Sequence, residues 1–594
     1  MNKQLLITDL NKYNQQIIVL NKKETLISIT RFISFFLTIV TSIVIISEKE
    51  WWAVIIALLS IGCFFIMLLK HNKLSEELML IKERCHVLTD ILSRYQQDWK
   101  QLKETGIEFG DDIDLFAYDL DIIGPASLYQ YLCCARTKHG KKQLADYLLR
   151  QDAQTKKDIE LRQLLVKELM SDSEFLIKFI TSSYLYQSNN PLDEEKVVKT
   201  LENFSNIEIG ITKLESSFVK IMSILTPLIT VLSIFNIINS IFAFIAIVLS
   251  SIMYVKVFKH SQKMFELVHP LEKSITSYQR MIEIIIKKDY QHIDLNLIKD
   301  VLKGSSKALK KLNKIIAMFN LRHNVFLYMP ANLIFFWDYF CLIQLDQWQD
   351  EYGSQLIEWA DSIGKMEAYV SLSLPVLTKN KITFPKINES EVIELDIQDC
   401  IHPLMDEEKA VGNDFTLKSI TNVITGSNMA GKTTFLRSLG VNLVLMQAGT
   451  VICGQYMKAN KMKIVTSMRV RDDISMGVST FYGELQRIKK MVEISDECVP
   501  AIMLIDEIFK GTNLKDRIIG AKKTIEKLNQ PHLITFVTTH DEQLTTHEEV
   551  NIINYHFEEY YKDNQIFFDY KIKEGASKST NAQFLMKMIG ILDE

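Results

Sequence analysis

The chain has no Cys-x-x-Cys pair and no Cys/His ligand spacing. Its eight cysteines (Cys63, Cys85, Cys133, Cys134, Cys341, Cys400, Cys453 and Cys498) are scattered through 594 residues. That argues against a zinc module and a disulfide scaffold, and the thiols read as reduced and mostly buried, as in a cytosolic protein. Neither sign of charge is in excess: 68 Lys and Arg against 72 Asp and Glu leave a formal −4. No global basic field therefore advertises nucleic acid, and any DNA contact needs a local basic patch. The first thirty residues lack a hydrophobic core directly after a basic start, so a cleaved signal peptide is not expected. Internal repeats and low-complexity tracts are absent too.

What is plentiful is Phe, Ile and Leu, and the mean hydropathy is slightly positive. Two uncharged blocks account for it. Phe32–Ser47 and Trp51–Leu69 flank the charged break Glu48-Lys49-Glu50. Ile221–Val255 holds a turn at Asn236-Ile237-Ile238-Asn239-Ser240. Each half approaches the ~17–20 residues that cross a bilayer as a helix. The pattern predicts two transmembrane hairpins, with spans at about 32–47, 51–69, 221–236 and 239–255. Lys22, Lys23, Arg31, Lys70 and Lys73 flank the first; Lys213, Lys220, Lys256 and Lys259 flank the second. The short turns are nearly free of cations. This bias predicts a multi-pass membrane protein with both termini in the cytoplasm. Pro227 and the shortness of Phe32–Ser47 leave open buried helices of a soluble core.

Three regions follow: 1–110 with N-terminal helices and the first hairpin, 111–380 helical and interrupted by the second, and 381–594. Helical spacing runs through Asn72–Gln101, Lys156–Met170 and Met264–Lys288, and Leu309, Leu312, Ile316 and Phe319 mark a packed seam. The aromatic-rich stretch Asn332–Leu374, with Phe335, Phe336, Trp337, Trp348 and Trp359, reads as core packing between long helices. At Pro375–Pro385 the character changes, and from Val392–Ile397 strands alternate with helices. The fold class expected is α followed by α/β, with a parallel core and an antiparallel addition.

The α/β region carries the chemistry. Between a predicted strand, Ser419–Ile424, and a predicted helix, Phe435–Ala448, lies Thr425-Gly426-Ser427-Asn428-Met429-Ala430-Gly431-Lys432-Thr433-Thr434. It fits the phosphate-loop pattern Gly-x-x-x-x-Gly-Lys-Thr. Glycines let backbone N–H groups turn toward a polyphosphate at the positive end of a helix. Lys432 is expected to reach the β- and γ-phosphates and Thr433 to hold Mg²⁺. The apolar strand Ala501–Ile505 ends in Asp506 and Glu507, candidates for the Mg²⁺ shell and for the general base. The alternative is a helix-start cap. The strand Leu533–Thr539 delivers His540 to the same edge, to meet a γ-phosphate or orient water, or to serve structure alone. Ser479 and Thr480 precede a helix from about Tyr482, as caps or as a phosphate site for another subunit.

These residues resemble a known family. From about Ile401 to Ile591 the chain looks like the ATPase domain of the MutS family, a branch of the ABC-type ATPases. His402-Pro403 and Asn413-Asp414 resemble its lead-in. Thr425–Thr434 resembles its TG-x-NM-x-GK-[ST]-T loop, Asp472-Asp473 with Ser479-Thr480-Phe481 its DD…STF element, and Asp506–Thr512 its DE-x-x-x-GT. Thr539-His540 and Ala576–Ser579 resemble its TH and ASKS elements. Upstream, Thr137, Gly140, Leu144 and Leu148 fit the entry to its helical core and lever.

The resemblance implies an ATP-hydrolysing homodimer in which each ATP is sandwiched. One subunit contributes Gly426–Thr434, Asp506, Glu507 and His540, and the other contributes Ser479 and Thr480. No domain with the family's Phe-x-Glu wedge fits the N-terminal part, and the chain ends soon after Ser579, so neither mismatch reading nor a helix-turn-helix is expected. The expected protein is a membrane-anchored MutS-like ATPase with a cytoplasmic motor. Its partners would be ATP, Mg²⁺, the bilayer and a second copy, with DNA or an unidentified protein as client. An ABC-type transporter or membrane-remodelling motor is the alternative, although no LSGGQ-like signature is present and the spans offer almost no ionisable residues.

Overall fold

The computed structural model describes residues 3–48, 50–110, 115–149, 154–189, 211–388, 390, 392–427, 429–469, 480–510, 512–546, 551–562 and 565–576. A helical region is followed by a mixed α/β region.

The hydrophobic blocks are parts of much longer helices. Lys3–Glu48 and Trp51–Gln96 are 46 residues each, about 69 Å at 1.5 Å per residue. They pair along their length, so the predicted helix Asn72–Gln101 is the lower half of the second one. Lys213–Ile234 and Ser240–Val268 form the second pair, and Asn236, at φ 56°, turns the chain between them. The expected helix Met264–Lys288 is broken at His269–Leu271, where Pro270 lies, and resumes as Glu272–Lys287. Proline has no N–H to continue the ladder.

The seams of these hairpins hold small side chains. Ala53, Ala57, Ser60, Ser34 and Thr41 are buried in the first, and Ala243, Ala246 and Ser250 in the second. Thr38 Oγ1 and Ser60 Oγ share a hydrogen bond of 2.7 Å. The large residues Phe32, Ile46, Leu59, Ile224 and Phe244 point outward and are exposed. Among the described residues, four helices are long and apolar enough to cross a membrane.

Below them the helical region packs as an ordinary core. Thr137 and Gly140 open the helix Lys138–Leu149, which meets Leu356–Ser373 so closely that a Cβ on Gly364 would lie 2.8 Å from the Gly140 nitrogen. Buried Glu367 receives the Arg136 N–H at 3.0 Å, the Thr137 N–H at 3.2 Å and the hydroxyls of Thr137 and Ser183. Those donors offset the cost of burying its charge. Trp348 and Trp359 are core residues, but Phe335 is exposed and Phe340 is largely so. The aromatic stretch is therefore only partly core, because the helix Val325–Phe335 lies outside it.

Among the described residues the main sheet has six strands, in the order Gln565–Glu574, Ile552–Lys562, Thr421–Thr425, Leu533–Thr538, Ala501–Asp506, Lys463–Ser467. Five are parallel and the first is antiparallel to its neighbour. A second sheet, Lys386–Ile387, Tyr456–Ala459, Leu395–Cys400 and Asn413–Thr416, lies beside it. The strand expected at Ser419–Ile424 is Thr421–Thr425, and the one expected from Val392 starts at Leu395.

Carboxylates fasten the two regions. Buried Asp119 accepts from Thr466 Oγ1 at 2.9 Å, from the N–H groups of Met468 and Arg469 at 3.0 and 3.3 Å, and from Arg487 Nη1 at 2.9 Å. Asp121 pairs with Arg437 at 3.0 Å and Arg469 at 2.6 Å. At the other end of the helix bearing Arg437, Thr450 Oγ1 donates to Leu372 O at 2.6 Å.

Candidate active site

The parallel strands bring their carboxyl ends to one edge. Thr421–Thr425 there enters the loop, and the helix Lys432–Gln447 leaves it with Gly431 as its N-cap. Gly426 has φ 140°, and a Cβ on it would sit 2.8 Å from the Phe557 carbonyl. Gly431 has φ 110°, and its vacant side faces the Tyr570 ring at 3.3 Å. Neither position accepts a side chain without strain. Met429, at φ 79°, is exposed on the loop's outer face, and Ala430 is buried. Asn428 lies outside the described residues.

Lys432 is almost fully buried. Its Nζ donates to the carbonyls of Gly426 and Ser427 at 2.8 and 2.9 Å. Burial pushes its ammonium down to about 8, with Asp506 acting in the opposite direction. Thr433 Oγ1 donates to Asp506 Oδ2 at 2.8 Å. The hydroxyl and carboxylate assigned to Mg²⁺ from the sequence are thus already in contact. Thr434 follows on the same helix, exposed.

Glu507 sits at φ 54° just past its strand, an orientation that turns it toward His540. His540 Nε2 contacts Glu507 Oε1, and Lys510 Nζ pairs with Oε2. His540 Nδ1 lies 3.1 Å from the Gly426 carbonyl. A carbonyl only accepts, so the nitrogen that faces Gly426 carries the ring proton. Burial and the nearby Lys432 lower the His540 pKa.

Two residues at this site were not singled out from the sequence. Thr538 Oγ1 donates to Asp506 Oδ1 at 2.6 Å and accepts the Glu507 N–H at 2.9 Å. Glu559, buried on Ile552–Lys562, accepts from Ser427 Oγ at 2.9 Å. Thr538 could have been suspected, since it stands two places before His540. Nothing in the sequence links Glu559 to the loop. His402, also in the predicted lead-in, is buried with its pKa pushed down to about 4 by desolvation and by Arg437. Asn413 holds the final hairpin, donating to Tyr570 O at 3.0 Å and accepting the Ile572 N–H at 2.8 Å.

Thr480 opens the helix Thr480–Asp496, two residues before the predicted start. Ser479 and Asp472-Asp473, like Gly511 and Ser577–Ser579, lie outside the described residues. Among the described residues no group of three His, Cys, Asp or Glu side chains forms a metal cage. One hydroxyl and one carboxylate do suit Mg²⁺, which keeps waters and takes phosphate oxygens alongside few protein ligands.

Residues 422–591 match the family model of MutS domain V. The chain is 27% identical over 256 residues to the DNA mismatch repair protein MutS of Leptospira interrogans serovar copenhageni (strain Fiocruz L1-130), and equally to that of serovar Lai (strain 56601). The match takes in 41% of this chain and 29% of each relative, so the chain spans less than a third of the curated relatives' length.

Proposed function

We propose that this chain is a membrane-anchored, Mg²⁺-dependent ATPase of the MutS type, working as a homodimer with its termini and motor in the cytoplasm. The observation that carries the ATPase reading is the cluster at one strand edge: Lys432 under the loop, Thr433 on Asp506, and Glu507 on His540. The match over residues 422–591 supports it.

Lys432 exchanges two loop carbonyls for the β- and γ-phosphates of ATP, a trade its buried ammonium favours because phosphate restores the lost charge compensation. Thr433 and Asp506 would hold Mg²⁺, which would supply positive charge against that developing on the phosphates. Glu507 leaves Lys510 and takes a proton from the attacking water, with His540 beside it to hydrogen-bond the resulting carboxyl. Ser479 and Thr480 come from the partner subunit and close the sandwich. The Asp121–Arg437 and Asp119–Arg487 pairs carry the closure into the long helices.

The membrane reading is supported by the inside-out hairpins. Small residues fill the seams and large apolar ones face outward, the arrangement lipid rather than water favours. The relatives' name brings DNA to this chain as a candidate client. The net charge of −4 instead favours the second reading, a remodelling motor or transporter with a lipid or protein client.

ATPase activity of the detergent-purified protein, with and without Mg²⁺ and with duplex or branched DNA, tests these readings. Expected is Mg²⁺-dependent turnover that Glu507→Gln lowers about 100-fold or more while ATP binding survives. Unchanged turnover in that variant removes the base assignment. Stimulation by DNA selects the DNA client, and indifference selects the other.

A further inference from the structure

The helix Val325–Phe335 leaves the apolar side chains of its first turns uncovered. Val325 is 61% exposed, Phe326 92% and Leu327 58%, and Met329 on the same helix is also exposed. A polar anchor lies beneath. Tyr328 Oη donates to Asp338 Oδ2 at 2.7 Å, and Arg322 Nη2 donates to the same oxygen at 2.5 Å and to Ser261 Oγ at 2.6 Å. The Asp338 N–H donates to Asn332 Oδ1 at 3.0 Å. Breaking a buried pair of this kind is costly, which holds the helix in this orientation.

Phe336, at φ 55°, ends the helix, and the chain turns through 78° into Trp337–Tyr352. The two legs together do not make a span. Eleven residues reach about 16 Å, half of the ~30 Å hydrocarbon core. The second leg cannot supply the rest. Its Cys341, Leu342, Leu345 and Trp348 are fully buried, and Trp348 Nε1 donates to Ala308 O at 2.7 Å inside the helical core.

Its depth follows from what it touches. The Tyr328 ring meets Tyr254 edge-on at 6.1 Å, and Arg322 holds Ser261. Both lie on Ser240–Val268, where its apolar run gives way to Lys256, Lys259 and Lys263. That is the cytoplasmic end of the second hairpin.

We infer that Val325–Phe335 is a one-leaflet element: Val325, Phe326, Leu327 and Met329 enter the acyl region of the cytoplasmic leaflet, with the lipid bilayer as their partner. The inference rests on the membrane reading of the hairpins and is continuous with it. Short apolar helices bury about 5–10 Å into this boundary, and the neighbouring lysines suit anionic headgroups. The element is also wired to the motor. It runs through Trp337–Tyr352 and Leu356–Ser373 to Leu372, whose carbonyl holds Thr450 just past the phosphate-loop helix.

The test uses the full chain in phosphatidylcholine–phosphatidylglycerol vesicles carrying a lipid with an acyl-chain diazirine. After photolysis, adducts are mapped by peptide mass spectrometry. Expected are adducts on both hairpins and on 325–329. Phe326→Asp, at a position that is 92% exposed and so barely packed against the protein, lowers those on 325–329 about tenfold and leaves the hairpins unchanged. Labelled hairpins with a bare 325–329 overturn this inference alone, whereas bare hairpins overturn the membrane reading with it. A benzoylphenylalanine at position 326 that captures a second copy instead of lipid also overturns it.

Discussion

Thr538 stands opposite Asp506 in the parallel register of its strand, and its hydroxyl serves both candidate catalytic carboxylate residues at once. It donates to Asp506 Oδ1 at 2.6 Å and accepts the Glu507 N–H at 2.9 Å. Valine has the same shape without the hydroxyl. Thr538→Val should cost about 1–3 kcal/mol of stability, because a carboxylate oxygen and an N–H lose a partner. Loosened carboxylates should lower kcat about 10–100-fold with little change in KM. Steady-state kinetics beside a thermal melt separates the two effects, and an unaltered kcat would contradict the positioning role.

Lys432 sets a pH dependence for nucleotide binding. Its folded-state pKa is pushed down to about 8 by burial, and phosphate binding needs the cation. Below pH 8 the group is already charged and affinity should be flat. Above pH 8 each binding event must take up a proton, so affinity should fall up to about tenfold per pH unit until the pKa of the bound form is reached. Titration with a fluorescent ATP analogue from pH 6.5 to 9.5 reads this. Affinity that stays flat through pH 9 would exclude the lowered pKa.

Asp119 is buried beneath four donors, and Arg487 is its charged partner. Asp119→Asn leaves a mostly buried guanidinium without its counter-charge, at a cost of about 3–5 kcal/mol. Adding Arg487→Met should recover part of that loss, with a coupling of about 0.5–3 kcal/mol. Urea unfolding of the two singles and the double closes the cycle, and strict additivity would mean the pair is not coupled.

Gly426→Ala puts a methyl 2.8 Å from the Phe557 carbonyl at a backbone angle that L-residues rarely adopt. ATP affinity should drop about tenfold or more as the loop shifts, since such strain costs about 1–3 kcal/mol. Gly62→Ala, with open space around it in the first hairpin, serves as the control. Equal affinities in the two variants would show that the loop tolerates the displacement.

Local chemistry was legible in the chain because it is local. Gly426, Gly431, Lys432 and Thr433 are fixed to each other by a short loop whose geometry depends on residue type and spacing. Asp506 and His540 each end an apolar run, and a parallel sheet delivers such ends to one edge. The outward apolar blocks were readable for the same reason, since hydrophobic length needs no neighbour to be counted.

Reach and register were not. Glu559 meets Ser427 across 132 residues, and Thr538 meets Asp506 only because the two strands pair in that frame. No residue pattern states a frame. The aromatic stretch after Asn332 misled for a related reason: periodicity identifies an apolar face but not what covers it. The sequence by itself determined the loop's residue types and spacing and the length of the apolar blocks, because those are properties of side chains and their order. Which of them touch, and that Phe326 faces outward while Trp348 does not, was decided by packing, since contact and burial are properties of the whole fold.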